Sequence, residues 1–86
     1  MKPVRLSEHA LRYAEKRGFS IEEVEAAILN GAWMPAEYGE GRLQCSKEYV
    51  FEQEWNRKVY GTKRVKPIFV EEETEIVVVT VYTYYY

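Results

Sequence analysis

The stretch Glu75–Tyr84, EIVVVTVYTY, decides the fold class. β-Branched residues fill it, and such side chains suit the pleated surface of a sheet. Its first half is apolar on both faces, the pattern of a central strand. Alternation then sets Thr80 and Tyr82 on one face and Val79 and Val81 on the other. The rest of the chain has to supply this strand with partners.

Working back from it, Glu71–Thr74 is polar and reads as a turn. Arg57 opens another strand, whose far half, Val65–Val70, carries Pro67. Proline gives a ladder no amide, so an edge or an irregularity is expected there. Lys58, Tyr60, Thr62 and Arg64 alternate onto one face of this strand, with Arg57, Val59, Gly61 and Lys63 on the other. A turn around Trp55-Asn56 precedes it. Arg42 to about Gln53 forms a further strand, with Leu43, Cys45, Tyr49 and Phe51 on one face. Gly39-Glu40-Gly41 is a turn signal, and Trp33–Tyr38 reads as a short strand interrupted by Pro35.

The first third has helical periodicity. Ser7 is an N-cap for a helix from about Glu8 to Arg17, and Gly18 is its left-handed stop. Ser20-Ile21-Glu22-Glu23 reads as a capping box that starts a second helix. Ile21, Val24, Ala27 and Ile28 form its apolar stripe, and Asn30-Gly31 ends it. The predicted order is α-α-β-β-β-β. This is an α+β fold, with two N-terminal helices packed on one face of a four-stranded, mostly antiparallel sheet. Residues 1–86 form one domain, and the other sheet face is left free to carry a groove.

Composition narrows the chemistry. Cys45 and His9 are the single cysteine and the single histidine, and all 14 acidic residues are glutamate. One cysteine excludes an intramolecular disulfide, and one Cys with one His cannot build the usual zinc sites. No Asp-rich two-metal or calcium motif can be drawn. The expected chemistry uses no metal and no cofactor. No apolar run is long enough to span a bilayer, so a cytoplasmic protein without membrane attachment is expected.

The net charge of −2 is not that of a general nucleic-acid binder. The charge is segregated, however. Basic residues gather in KPVR, LRYAEKR and Arg57–Lys66, while IEEVE and EEETE gather acid. RNA or an acidic substrate therefore stays open as a partner.

Helical spacing sets Arg12, Tyr13 and Lys16 on one side with His9. A histidine there can titrate near neutrality, as general acid–base work needs, and Arg12 can hold a phosphate bidentately. An exposed first-turn histidine among solvated basic residues has the same spacing. Thr80 and Tyr82 can bind a ribose, base or phosphate, or serve only as strand formers. The basic strand with Tyr60 and Arg64 suits backbone tracking and base stacking, or else an edge protected by charge.

LSEHALRYAEKRGFSIEEVEAAILNG and the closing VVVTVY resemble the domain-of-unknown-function family 4258. The matching features are Ser-x-His-Ala, an arginine three residues on, Arg-Gly-hydrophobic-Ser and an acidic helix. Phe19 stands where isoleucine is more usual. That family is similar to RelE-like and BrnT-like toxins in its helix–helix–sheet order. The resemblance implies a toxin of a toxin–antitoxin system acting as a metal-independent endoribonuclease. It implies RNA as substrate and an antitoxin protein as partner, with a dimer left open. His9, Arg12 and Arg17 match the helix motif, and Thr80 and Tyr82 match the last strand. The implied catalytic set is His9, Arg12, Thr80 and Tyr82. Arg17 serves in substrate binding, joined by Arg64 and Tyr60 from the basic-strand reading. The alternative is a non-enzymatic protein-interaction module built from the same helices and sheet.

Overall fold

The computed structural model describes residues 2–37 and 39–86. The chain opens on a strand, β1 (Val4–Leu6), before any helix. It then forms α1 (Glu8–Arg12), α2 (Ala14–Arg17) and α3 (Ile21–Asn30). Five strands follow: β2 (Met34–Pro35), β3 (Leu43–Gln44), β4 (Lys47–Trp55), β5 (Lys58–Glu71) and β6 (Ile76–Tyr85). They complete a six-stranded sheet of order β1-β6-β5-β3-β2, in which β4 also pairs with β5.

The expected two-helix, four-stranded α-α-β-β-β-β arrangement is therefore corrected, among the described residues, to three helices and a six-stranded mixed sheet. The mixing comes from β1, which runs parallel to β6 with Val4 opposite Ile76 and Leu6 opposite Val78. Its three residues carry too little periodicity to be recognised alone. Their partner lies about 70 residues downstream, and the connection such a parallel pair needs runs through the three helices and strands β2 to β5.

The predicted first helix divides at Tyr13. The Tyr13 amide donates three residues back, to Ala10 O at 3.2 Å, a local 3₁₀ tightening that interrupts the α ladder. Both predicted caps hold. Ser7 Oγ accepts the Ala10 amide at 3.1 Å. Ser20 Oγ accepts the Glu23 amide at 3.1 Å, and Glu23 Oε1 accepts the Ser20 amide at 2.9 Å. Gly18 ends α2 at φ +77°, and a Cβ there would sit 2.6 Å from the Trp55 ring. Conformation and space both require glycine at this turn.

Pro67 lies in β5, which is central: β6 flanks it on one side, β3 and β4 on the other. The expected irregularity is present without the edge. Lys47 is opposite Val65 and Gln44 opposite Ile68, so β3 and β4 keep one register along β5. They are separated at Cys45-Ser46, opposite the proline that has no amide to donate. The predicted strand Arg42–Gln53 is thus realised in two pieces. Of the predicted strand Trp33–Tyr38, Met34–Pro35 forms β2, and Tyr38 lies outside the described residues.

The core lies between the helices and one face of the sheet. Phe19, Val24, Ala27 and Ile28 pack against Val65, Phe69, Ile76, Val78 and Val81. Fully burying a side chain such as Phe69 or Ile28 contributes roughly 1.5–3 kcal/mol. Among the described residues, no helix is long and apolar enough to cross a membrane.

Candidate functional site

Two features on the sheet converge: an arginine at the end of α2 and a polar groove on the face away from the helices. β1 pairs with Ile76–Val78, and among the described residues no strand neighbours the outer edge of β6 beyond Val78. Arg17 covers part of that edge. Its Nη1 donates to Thr80 Oγ1 at 3.2 Å and to the Val81 carbonyl at 2.8 Å. The Arg17 carbonyl in turn accepts Thr83 Oγ1 at 2.7 Å and the Tyr85 hydroxyl at 2.8 Å. Burial pushes the Tyr85 phenol above its ordinary pKa, which keeps it protonated as a donor.

The guanidinium also lies between two aromatic rings, 4.3 Å from the Tyr13 centroid and 5.3 Å from that of Tyr82. Both fall within cation–π range. The His9 ring packs at 4.9 Å on Tyr13. His9, Tyr13, Arg17, Thr80 and Tyr82 are thus consecutive contacts from α1 to the last strand. Nη1 is committed to the strand, which leaves the Nε and Nη2 donors of the guanidinium.

A bulge in β6 sets what reaches the free face. Ile68 is opposite Thr80 and Phe69 opposite Val78, so Val79 is the extra residue. Before the bulge Ile76 and Val78 are buried; after it Val81 is buried, and Thr80, Tyr82 and Tyr84 turn to the groove. The groove, about 250 Å³, is closed by Ala36, Glu37 and Arg42 and floored by Gln44, Lys66 and Ile68. A second depression of about 300 Å³ adjoins it, sharing Gln44 and Lys66 and adding Ser46 and Arg64. Arg42, Arg64 and Lys66 make this face cationic although the chain carries −2 overall.

The helix-facing side has a different character. Lys63 Nζ donates to Glu23 Oε1 at 2.8 Å and to the Gly18 carbonyl. The Tyr49 hydroxyl donates to the Glu23 carbonyl at 2.9 Å, and Cys45 Sγ donates to the Ala27 carbonyl at 3.3 Å. Burial pushes the Cys45 thiol up to about 11, away from the reactive thiolate.

The structure brings His9, Arg17, Thr80 and Tyr82 into one connected set, with Tyr13 as the link that sequence reasoning left without a role. Arg12 is exposed at the end of α1. Arg64 lines the second depression, with Nε at a long 3.4 Å from Ser46 Oγ. Tyr60 lies elsewhere, 5.8 Å from Tyr85 in an aromatic cluster that includes Trp55 and Phe51. Arg42, Gln44, Lys66 and Tyr84 were not foreseen. Two of them carried a signal: Lys66 continues the Thr62–Arg64 alternation, and Tyr84 continues that of Thr80 and Tyr82.

Among the described residues, no group of three or more His, Cys, Asp or Glu side chains is placed to hold a metal ion. The family described as Domain of unknown function (DUF4258) matches residues 6–83. No curated protein and no solved structure matches the chain.

Proposed function

The chain belongs to this family of unknown function, and from that premise we propose that it is a toxin-like, metal-independent endoribonuclease. Single-stranded RNA lies along the free sheet face and is cleaved at the Arg17 corner. One observation carries the reading. Arg17 joins the helix motif to Thr80 and Tyr82 beside a groove lined by Arg42, Lys66 and two tyrosines. Cations interleaved with aromatic rings suit a phosphate backbone with splayed bases.

In this mechanism the ribose 2′-hydroxyl gives its proton to the exposed His9 imidazole, and O2′ forms a bond to phosphorus. The P–O5′ bond breaks, and O5′ is protonated to a hydroxyl by a group of the site or by water. The products are a 2′,3′-cyclic phosphate and a 5′-hydroxyl. The remaining Arg17 donors stabilise the phosphorane charge, aided by the exposed Arg12 at the end of α1; Thr80 and Tyr82 position the scissile phosphate. An antitoxin-like protein is the proposed partner, and the cytoplasm the proposed compartment.

The exposure of His9, whose ring contacts Tyr13 and meets Thr80 only through Arg17, favours a second reading. In it the same face is a non-enzymatic interaction module. Cleavage of single-stranded RNA in EDTA separates the two. The enzyme reading expects EDTA-resistant cleavage, with Arg17→Ala slower by about 10²-fold, the usual cost of losing one charge-stabilising donor. It also expects His9→Ala to be slowed. No cleavage by wild type leaves the module; equal cleavage by wild type and His9→Ala removes the histidine from the mechanism.

A further inference from the structure

We infer that the groove between the β2–β3 turn and the end of β6 is a guanine pocket, which selects where single-stranded RNA is held. The inference rests on the RNA-binding reading and deepens it by naming the base. Four side chains bring complementary chemistry to one cavity. Glu37 and Arg42 come from either side of the turn that closes it, and Tyr82 and Tyr84 come from alternate positions of β6.

Guanine presents an N1–H and an N2–H₂ on its Watson–Crick edge, two parallel donors that fit a carboxylate. Its other edge presents O6 and N7, two acceptors that fit a guanidinium bidentately. Glu37 supplies the first partner and Arg42 the second. No other RNA base offers both pairs. Adenine has no donor pair for the carboxylate and places an N6 amine where O6 would accept. Uracil has a single N–H, and cytosine uses one amine against the carboxylate with no second donor beside it. The tyrosine faces provide stacking that any base can use. Selection therefore falls to Glu37 and Arg42, and affinity to Tyr82, Tyr84 and Lys66.

The turn holds Arg42 in place. Gly39 has φ +90°, and a Cβ there would come within 2.9 Å of Arg42 Nε, so the arginine side chain lies against the glycine backbone. Arg42 N also donates to the Gly39 carbonyl at 3.2 Å. The turn backbone thus sets where the exposed Arg42 side chain leaves the chain at the groove. Glu37 is exposed, so its substitution leaves the core intact.

The test is a fluorescence-anisotropy titration of the full chain with labelled U-rich hexamers carrying one central G, A, C or U, in EDTA. A 2′-fluoro sugar at every position removes each attacking 2′-hydroxyl and blocks cleavage during the measurement. The expected result is binding of the G hexamer about tenfold tighter than the others. Glu37→Gln should reduce that preference to threefold or less while binding the all-U hexamer at least as tightly, because a negative charge has left the groove. Equal affinity for all four hexamers, with Lys66→Ala weakening each, overturns the guanine assignment and leaves RNA binding standing. No binding of any hexamer overturns both. A preference for G that survives Glu37→Gln and Arg42→Ala places recognition outside this pocket and also overturns the assignment.

Discussion

Lys63 and Lys66 stand three residues apart on β5 and face opposite sides of the sheet. Lys63 is 7% exposed, and its ammonium is satisfied by Glu23 and the Gly18 carbonyl. Lys66 lines both depressions of the free face. A buried charge with protein partners belongs to the fold, because desolvating it is costly unless it is paired. A charge kept in a groove beside Arg42, Glu37 and two tyrosines stays accessible to a ligand, which the proposed RNA would supply. The helix side is a closed set of hydrogen bonds, and the free side is an open one.

Breaking the closed side costs stability. Lys63→Ala leaves Glu23 and the Gly18 carbonyl without their cation and should destabilise the fold by about 3 kcal/mol, read from urea unfolding. Lys66→Ala should change the unfolding free energy by less than about 0.5 kcal/mol. It should nonetheless weaken single-stranded RNA binding and lower the salt slope by about 0.7. If both lysines behave alike, the contrast between the faces fails.

Gly18→Ala should cost about 2 kcal/mol, since it combines a positive φ with a clash against Trp55. Ser20→Ala removes one half of the capping box at the start of α3 and should cost about 1 kcal/mol. Ser20→Ala should leave RNA affinity unchanged in the folded protein, and anisotropy at low temperature checks this.

The smallest effect concerns pH. Arg5 hydrogen-bonds Glu75 at 3.0 Å and holds its carboxyl below the usual 4.5. A carboxyl lowered in the folded state adds stability that is present above its unfolded pKa and lost as pH falls through the folded value. Arg5→Ala should therefore narrow the difference in stability between pH 6 and pH 3, and an unchanged difference would remove the pair from the ledger. Cys45 gives a second readout of closure: at pH 8 it should react with a thiol reagent only as fast as the protein opens.

Local chemistry was legible in the sequence wherever it depends on near neighbours. Ser7, the Ser20–Glu23 box and Gly18 act over three or four residues, and each is in its expected place. The last strand was legible because its β-branched run is long. β1 was not, because three residues acquire a strand's identity only from pairing with β6. Pro67 signals an edge or an irregularity; which of the two it is depends on the neighbouring strand, where the break falls at Cys45-Ser46. The same distinction applies to the site. Arg17, Thr80 and Tyr82 were found by motif, and Arg64 by alternation. Glu37 and Arg42 reach the groove only through the short β2–β3 pairing, and no periodicity announces them.

The division between the two faces can be measured directly by following backbone amide signals of the labelled protein as single-stranded RNA is added in EDTA. The account predicts shifts concentrated in residues 36–44, 64–68 and 80–84, with the amides of α3 nearly unmoved. Shifts concentrated on α3, or none at saturating RNA, would contradict it.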